Sequence, residues 1–208
     1  MNRAEYWLMD SVVEACYPLF WLVLNTDDLE AAYNRVAHRM NKTELVDVLY
    51  NLVCRGDIVL HQMDQGETHL IPHPSCEEIM AGLQRERDID YGLSAQGGAC
   101  WESFTSPLWE RFIDVGDYLD PIAKGEIIAT DGALVEEYLS IHRFTTAIVP
   151  GTESWDVLSL WQATYWKTLP CGHRLQYIYD PHGVVPETPV WASAKLDHFN
   201  NWYTPLYE

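Results

Sequence analysis

Positive charge is what this sequence has least of: 13 lysines and arginines stand against 31 aspartates and glutamates in 208 residues, a formal net charge of -18. The shortage is spread evenly, with five cations against thirteen carboxylates up to Leu83 and eight against eighteen beyond it, and no run of lysine or arginine in either part. A field of this sign repels phosphate backbones and anionic head groups, which disfavours nucleic acid and membrane surfaces as partners. Long apolar runs are missing too. The longest, Leu19-Phe-Trp-Leu-Val-Leu24, falls far short of the roughly 20 residues of a membrane span. Glu5, Asp10 and Glu14 stand where an export signal has a basic flank and a clean apolar stretch, so a cytoplasmic location is expected. There is no CxxC, no dinucleotide-type glycine spacing, no Gly-Lys-Ser/Thr, no Gly-x-Ser-x-Gly and no His-Glu-x-x-His. The sequence therefore names no reaction.

What is present suits a folded chain. Hydrophobic residues make up 48% of it and aromatic ones 12%, enough for one or two small domains with buried cores. The five cysteines, Cys16, Cys54, Cys76, Cys100 and Cys171, are odd in number, far apart and set in apolar patterns, which predicts reduced, mostly buried thiols.

Apolar positions such as Tyr6, Met9, Val13, Tyr17, Phe20 and Leu24 recur three or four apart, predicting a helix over 3–24 that Pro18 kinks or divides. A short second helix is expected from Leu29 through Ala32, Tyr33 and Val36 to Met40. Asn41-Lys-Thr-Glu44 is a capping-box pattern, and the apolar positions behind it predict a helix over 42–55 that stops at Gly56. A hairpin follows, with strands at 57–61 and 68–71 around the turn Asp64-Gln-Gly-Glu67. Ser75-Cys-Glu-Glu78 opens another capped helix through Leu83. An exposed charged connection over 85–90, a strand over 90–93 and a helix capped by Ser94 complete this half.

Three helices, a glycine stop and a β-ribbon come in the order of a winged helix-turn-helix. The segment Tyr91-Gly-Leu-Ser-Ala-Gln-Gly97 resembles the Tyr-x-Leu-Thr-x-x-Gly step by which bacterial winged-helix domains of the MarR and PadR type pass from their last strand into a C-terminal helix. Ser94 stands for the usual threonine and keeps its capping oxygen. Residues 72–90 depart from the pattern, with an extra helix where a plain wing would turn. The resemblance covers about half the chain and implies a winged-helix-like domain over 1–112. The continuation Gly97-Gly-Ala-Cys-Trp-Glu102 resembles a Gly-Gly-x-x-Trp-Glu segment of uncharacterised bacterial proteins.

Residues 113–208 differ in composition, since seven of the nine tryptophans lie at Trp101 or beyond. A short helix is expected over 131–139, a β-prone run at 145–149, and a hairpin pairing 161–168 with 174–179 around Leu169-Pro-Cys-Gly172. The expected fold is α+β: an N-terminal winged helix with an extra helix after the wing hairpin, then a small Trp-rich antiparallel α+β subdomain, hinged near 105–120.

Few residues group into chemistry. His61, His69, His73 and Cys76 near the wing, and Cys171, His173, His182 and His198 near the second hairpin, lack the paired knuckles of a zinc site, so no metal and no cofactor is expected. Cys171 beside His173 makes a weak nucleophile pair, because alternate strand positions need not face each other. On the helix over 42–55 the polar positions Lys42, Thr43, Glu44, Asp47, Asn51 and Arg55 hold two cations and two anions. With Arg35 and Arg39 they are the contact set if this domain reads DNA, although Glu44 and Asp47 oppose phosphate.

The aromatic side chains of the second half either fill a small core or anchor a partner. A period of two along 161–166 sends Trp161, Ala163 and Tyr165 to one face and Gln162, Thr164 and Trp166 to the other. Trp155, Trp166, Lys167, His173 and Arg174 are accordingly the expected docking residues. The sequence points to a non-enzymatic acidic module for a basic protein partner, in the manner of an inhibitor or immunity-like protein. The competing expectation is a winged-helix DNA-binding regulator, in which a homodimer sets Arg35, Arg39, Lys42 and Arg55 beside a wing.

Overall fold

The computed structural model describes residues 1–24, 36–119, 122–199 and 201–206, with the backbone alone for 194, 197 and 198. It forms two compact units, one of Met1–Thr105 with Thr164–Lys167 and Pro205–Glu208, the other of Ser106–Ala163 with Thr168–Thr204. The first unit thus ends before residue 112 and takes up two short stretches from late in the chain. Both units are α+β, and all strand pairs among the described residues are antiparallel.

In the first unit, α1 (Arg3–Asp10) starts at a capping box of Asn2 and Glu5. The expected long helix stops there. Ser11 turns its hydroxyl back to the Leu8 carbonyl at 2.8 Å, and the carbonyls of Val12 and Val13 accept from the side chains of Tyr165 and Trp166 instead of from a further helical turn. Pro18 kinks no helix. It belongs to β1 (Tyr17–Pro18), an edge strand where a missing N–H is tolerated, and leads into a 3-10 turn over Leu19–Val23. Of the expected second helix, Leu29, Ala32 and Tyr33 lie outside the described residues, and residues 36–40 are not helical.

Helix α2 (Lys42–Cys54) keeps its capping box of Asn41 and Glu44 and ends before Gly56, whose φ of 78° suits glycine. Strands β2 (Ile58–Asp64) and β3 (Glu67–Ile71) form the expected hairpin, closed by Gln65 and Gly66 at φ 49° and 86°, the two left-handed positions of a type I′ turn. After α3 (Cys76–Leu83), capped by Ser75, the chain returns as β4 (Ile89–Leu93) between β1 and β2, giving the order β1-β4-β2-β3. The charged connection is therefore shorter than expected, and Arg87 ties it to Glu78 and Gln62. Ser94 caps α4 (Ala95–Thr105) by accepting the Gly97 N–H at 2.9 Å. Leu8, Leu49, Ile58, Ile79, Tyr91 and Trp101 are among the fully buried residues, each large aliphatic contributing about 1.5–3 kcal/mol.

The second unit runs β5 (Ile113–Tyr118), β6 (Lys124–Ala129), α5 (Gly132–His142), β7 (Ser154–Leu158), β8 (Trp161–Gln162), β9 (Thr168–Leu169), β10 (Gly172–Ile178) and α6 (Val190–Phe199). Its main sheet has the order β5-β6-β10-β7. Alternate residues Ile127, Ala129, Leu175 and Tyr177 face Val135 and Leu139 of α5 across the core. Two expectations fail. Residues 145–149 make only a bridge from Ile148 to Tyr179, because the N–H groups of Thr145 and Thr146 still bond the His142 carbonyl at the helix end. Residues 161–168 do not pair with 174–179 either: both edges of β10 are taken, by β6 and β7, so β8 pairs with β9.

Candidate functional site

Within the first unit, Thr164–Lys167 lies on the Gly-Gly-x-x-Trp-Glu segment of α4, and all four signature residues are engaged. Gly97 touches the backbone of Asp57, where a Cβ would stand 1.8 Å from the carbonyl oxygen. Gly98 lets the Trp166 ring lie on the helix, since a Cβ there would fall 2.0 Å from it. Trp101 meets Trp166 edge to face, with centroids 6.2 Å apart, and donates its Nε1–H to the buried Asp10 carboxylate at 2.8 Å. Glu102 pairs with Lys167 Nζ at 2.5 Å. On the other side, Trp166 donates to the Val13 carbonyl at 2.8 Å, while the Tyr165 hydroxyl donates to Val12 at 2.6 Å and accepts the Leu93 N–H. Burial and the neighbouring Cys16 push the Tyr165 phenol far up, which keeps it protonated as that bond requires.

Trp166 and Lys167 are therefore half-buried and internal to the unit, not an exposed anchor. The period of two fails because β8 ends at Gln162 and Thr164–Lys167 is a turn, closed by hydrogen bonds between Thr164 and Lys167. One sequence signal could have shown this: adjacent glycines inside a helix mark a close approach by something large.

The second unit presents the opposite arrangement on its edge strand β7. Trp155, Val157 and, just beyond the strand, Leu160 are 46%, 62% and 73% exposed. Trp155 stands opposite Leu175 and Val157 opposite His173, on the sheet face that α5 covers further in. The other face is polar. Arg174 is held by Asp156 at 3.0 and 2.6 Å and reaches Glu126 at 3.9 Å, and this pairing pulls the Asp156 carboxyl below its usual range. His173 is half-buried beside Gly132. In the core, His142 Nε2 lies 2.7 Å from the Tyr177 hydroxyl; burial pushes the imidazole down and the phenol up, so both are neutral at pH 7.

Of the expected DNA contacts, Lys42 and Asn51 lie on α2 and Arg55 follows its last residue. Arg35 lies outside the described residues; Arg39, Lys42 and Asn51 are exposed. Arg55 is already held between Glu5 at 2.5 Å and the buried Asp57 at 2.8 Å. Among the described residues no group of three or more His, Cys, Asp or Glu could hold a metal, and the side chain of His198 lies outside them. All five thiols are free, but they are less buried than expected: Cys54 and Cys76, at helix ends, are exposed, and Cys16, Cys100 and Cys171 are half-buried. Among the described residues no helix is long and apolar enough to cross a membrane. Compared with known protein families, curated proteins and solved structures, the chain has no match.

Proposed function

We propose that this chain is a non-enzymatic, acidic protein-binding module whose partner is basic. The observation that carries the reading is the pair Trp155 and Val157, exposed on one face of an edge strand, with Leu160 exposed just beyond the strand's end. Large apolar side chains on a sheet edge offer area that association buries, and a tryptophan supplies it at low entropy cost. The net charge of -18 sets the sign of the partner by accelerating encounter with a cationic surface. An inhibitor or immunity-like protein that neutralises a basic target is one form of this. Trp155 and His173 stay in the docking set; Trp166 and Lys167 leave it, and so does Arg174, which Asp156 and Glu126 hold on the other face of the sheet.

A winged-helix-like build is part of the same proposal. It is supported by the succession of α2, the Gly56 stop, the hairpin and the Ser94-capped helix, with β4 inside the sheet and β3 added outside it. The DNA-binding alternative is weakened by Arg55, whose charge is already matched by two carboxylates.

Capture from cells of the source organism at physiological salt tests the reading. Wild-type protein should retain a basic protein that the Trp155→Ala, Val157→Ser variant releases, and Trp155→Ala by itself should weaken binding by about 2 kcal/mol or roughly 30-fold. Retention unchanged by these substitutions would remove the pair as the site. Salt-dependent binding to random duplex DNA at near-physiological ionic strength would replace the protein reading with the regulator.

A further inference from the structure

Among the described residues, the main sheet of the second unit leaves β7 with one edge unpaired. Where its free backbone groups point follows from the neighbouring ladder. Tyr179 donates its N–H to the Ala123 carbonyl, which extends the β10–β6 register by one pair, so every second residue of β10 back to His173 turns its N–H and C=O toward β6. The residues between them turn theirs to the β7 side, as Ile178 does in accepting the Val149 N–H. Ser154, Asp156 and Leu158, opposite Gln176, Arg174 and Gly172, are therefore the residues that bond β10. Trp155 and Val157 aim their N–H and C=O groups outward. The two exposed side chains on the apolar face of β7 thus belong to the residues that hold its open donors and acceptors. The other sheet edges are blunted: β1 is two residues long and contains Pro18, β3 has Leu70 as its single large exposed apolar residue, and β5 points Asp117 to the core-facing side of its sheet.

Charge selects the occupant of this edge. Asp156 is the middle residue of β7, so a second copy paired in full overlap would set this carboxylate against its counterpart, and two chains of net charge -18 add to the repulsion. On the sheet face that Asp156 shares with Asp114, Glu126, Lys124 and Arg174, three carboxylates stand against two cations. Arg174 takes one bond to each Asp156 oxygen, at 3.0 and 2.6 Å, yet half of that side chain is in water and a carboxylate oxygen accepts more than one bond. We infer that the basic partner is held by strand addition: an extended segment alternating apolar residues with lysine or arginine pairs antiparallel with β7 and becomes the outermost strand of the sheet. This rests on the reading of Trp155 and Val157 as the docking pair and adds their backbone to it. The segment's apolar residues bond the outward N–H and C=O groups of Trp155 and Val157 and cover their side chains, and its cations lie on the opposite face beside Asp156.

The probe is the end-blocked peptide Lys-Val-Lys-Val-Lys-Val-Lys, added to the full wild-type chain and read by residue-resolved amide hydrogen exchange. At saturating peptide, exchange at Trp155 and Val157 should slow by about tenfold or more, while Ser154 and Asp156, already bonded to β10, change little. The analogue with glutamate for every lysine should give no protection. The lysine peptide N-methylated at its valines keeps every side chain but loses the donors that face β7, and it should give none either. Protection absent with the lysine peptide, or equal with its N-methylated form, would overturn strand addition. Capture of a basic protein separates this from the reading beneath it. If the Trp155→Ala, Val157→Ser variant releases such a protein while the peptide protects neither amide, the pair binds through side chains alone and the added strand falls; if capture is also unchanged, both fall.

Discussion

Two stretches close in sequence, Ser154–Leu158 and Thr164–Lys167, carry the same kind of side chain into different surroundings. Trp155 and Val157 stand in water on an edge strand, whereas Tyr165 and Trp166 are hydrogen-bonded at their polar tips, with the Trp166 ring against Gly98. The difference lies in what each stretch meets. Where α1 ends early, the carbonyls of Val12 and Val13 need donors, and a phenol and an indole supply them. On the strand that pairs with β7, Arg174 is turned to Asp156 on the other face of the sheet from Trp155. Aromatic content alone does not separate an anchor from a core residue; the backbone groups and glycines opposite it do.

The comparison breaks most easily at Thr164–Lys167. A fragment of residues 1–112 keeps α1 to α4 but leaves the Val12 and Val13 carbonyls and the Leu93 N–H without their side-chain partners, at about 1–3 kcal/mol for each group left buried. Set against the roughly 5–15 kcal/mol that holds a domain together, this should leave the fragment insoluble or molten, and a sharp thermal transition from soluble fragment would refute the assignment. Trp166→Ala in the full chain should cost about 3–5 kcal/mol in urea unfolding. Gly98→Ala presses on the same ring from the helix side and should cost about 1–3 kcal/mol. The double variant should cost less than the sum, because an alanine at 166 makes room for the new methyl group.

Much of the fold was legible where local chemistry decides it. The capping boxes at Asn41 and Ser75, the Gln65-Gly66 turn and the Ser94 cap all lie where their side chains place them, because each needs partners only a few residues away. The misses share the opposite cause. Helix α1 ends early because of partners from late in the chain, and β10 rejects its expected hairpin partner because β6 and β7 hold its two edges. In the candidate site, Trp155 was among the expected docking residues and is exposed, while the engagement of Trp166, the expected exposed anchor, depended on Gly98, which belongs to a segment whose function the sequence leaves open. Long-range pairing is a competition among surfaces, and one-dimensional spacing does not record the other competitors.

A smaller effect compares the two units through acid. His38 in the first unit accepts the Met40 N–H on Nδ1, with Nε2 against the Leu22 carbonyl, and His142 in the second bonds Tyr177. Burial depresses both below the ordinary value near 6.5. The unfolded chain therefore takes up protons first as pH falls. Stability is unaffected well above about pH 6.5 and is lost as pH falls from there through the folded values. Carboxylates held low by their partners, such as Glu5 and Asp156, act only in a more acid window. Thermal midpoints at about pH 7.5 and 5.5 check this: His142→Gln should flatten the loss in the second unit and His38→Gln in the first. An unchanged pH dependence in both variants would assign the loss to other groups.

The smallest expected effect on folding is the sharpest test of the contrast. Trp155→Ala removes a side chain as large as Trp166, yet it should lower unfolding free energy by only about 1 kcal/mol, because nearly half of that residue is already in water and its strand is held through β10. Urea unfolding of Trp155→Ala beside Trp166→Ala under identical conditions gives the comparison directly. A loss at Trp155 approaching that at Trp166 would mean that the ring packs as core. The pair would then have no area left to offer a partner. A small loss of stability for Trp155→Ala, with partner binding lost, would instead separate the residue's part in recognition from any part in holding the sheet together.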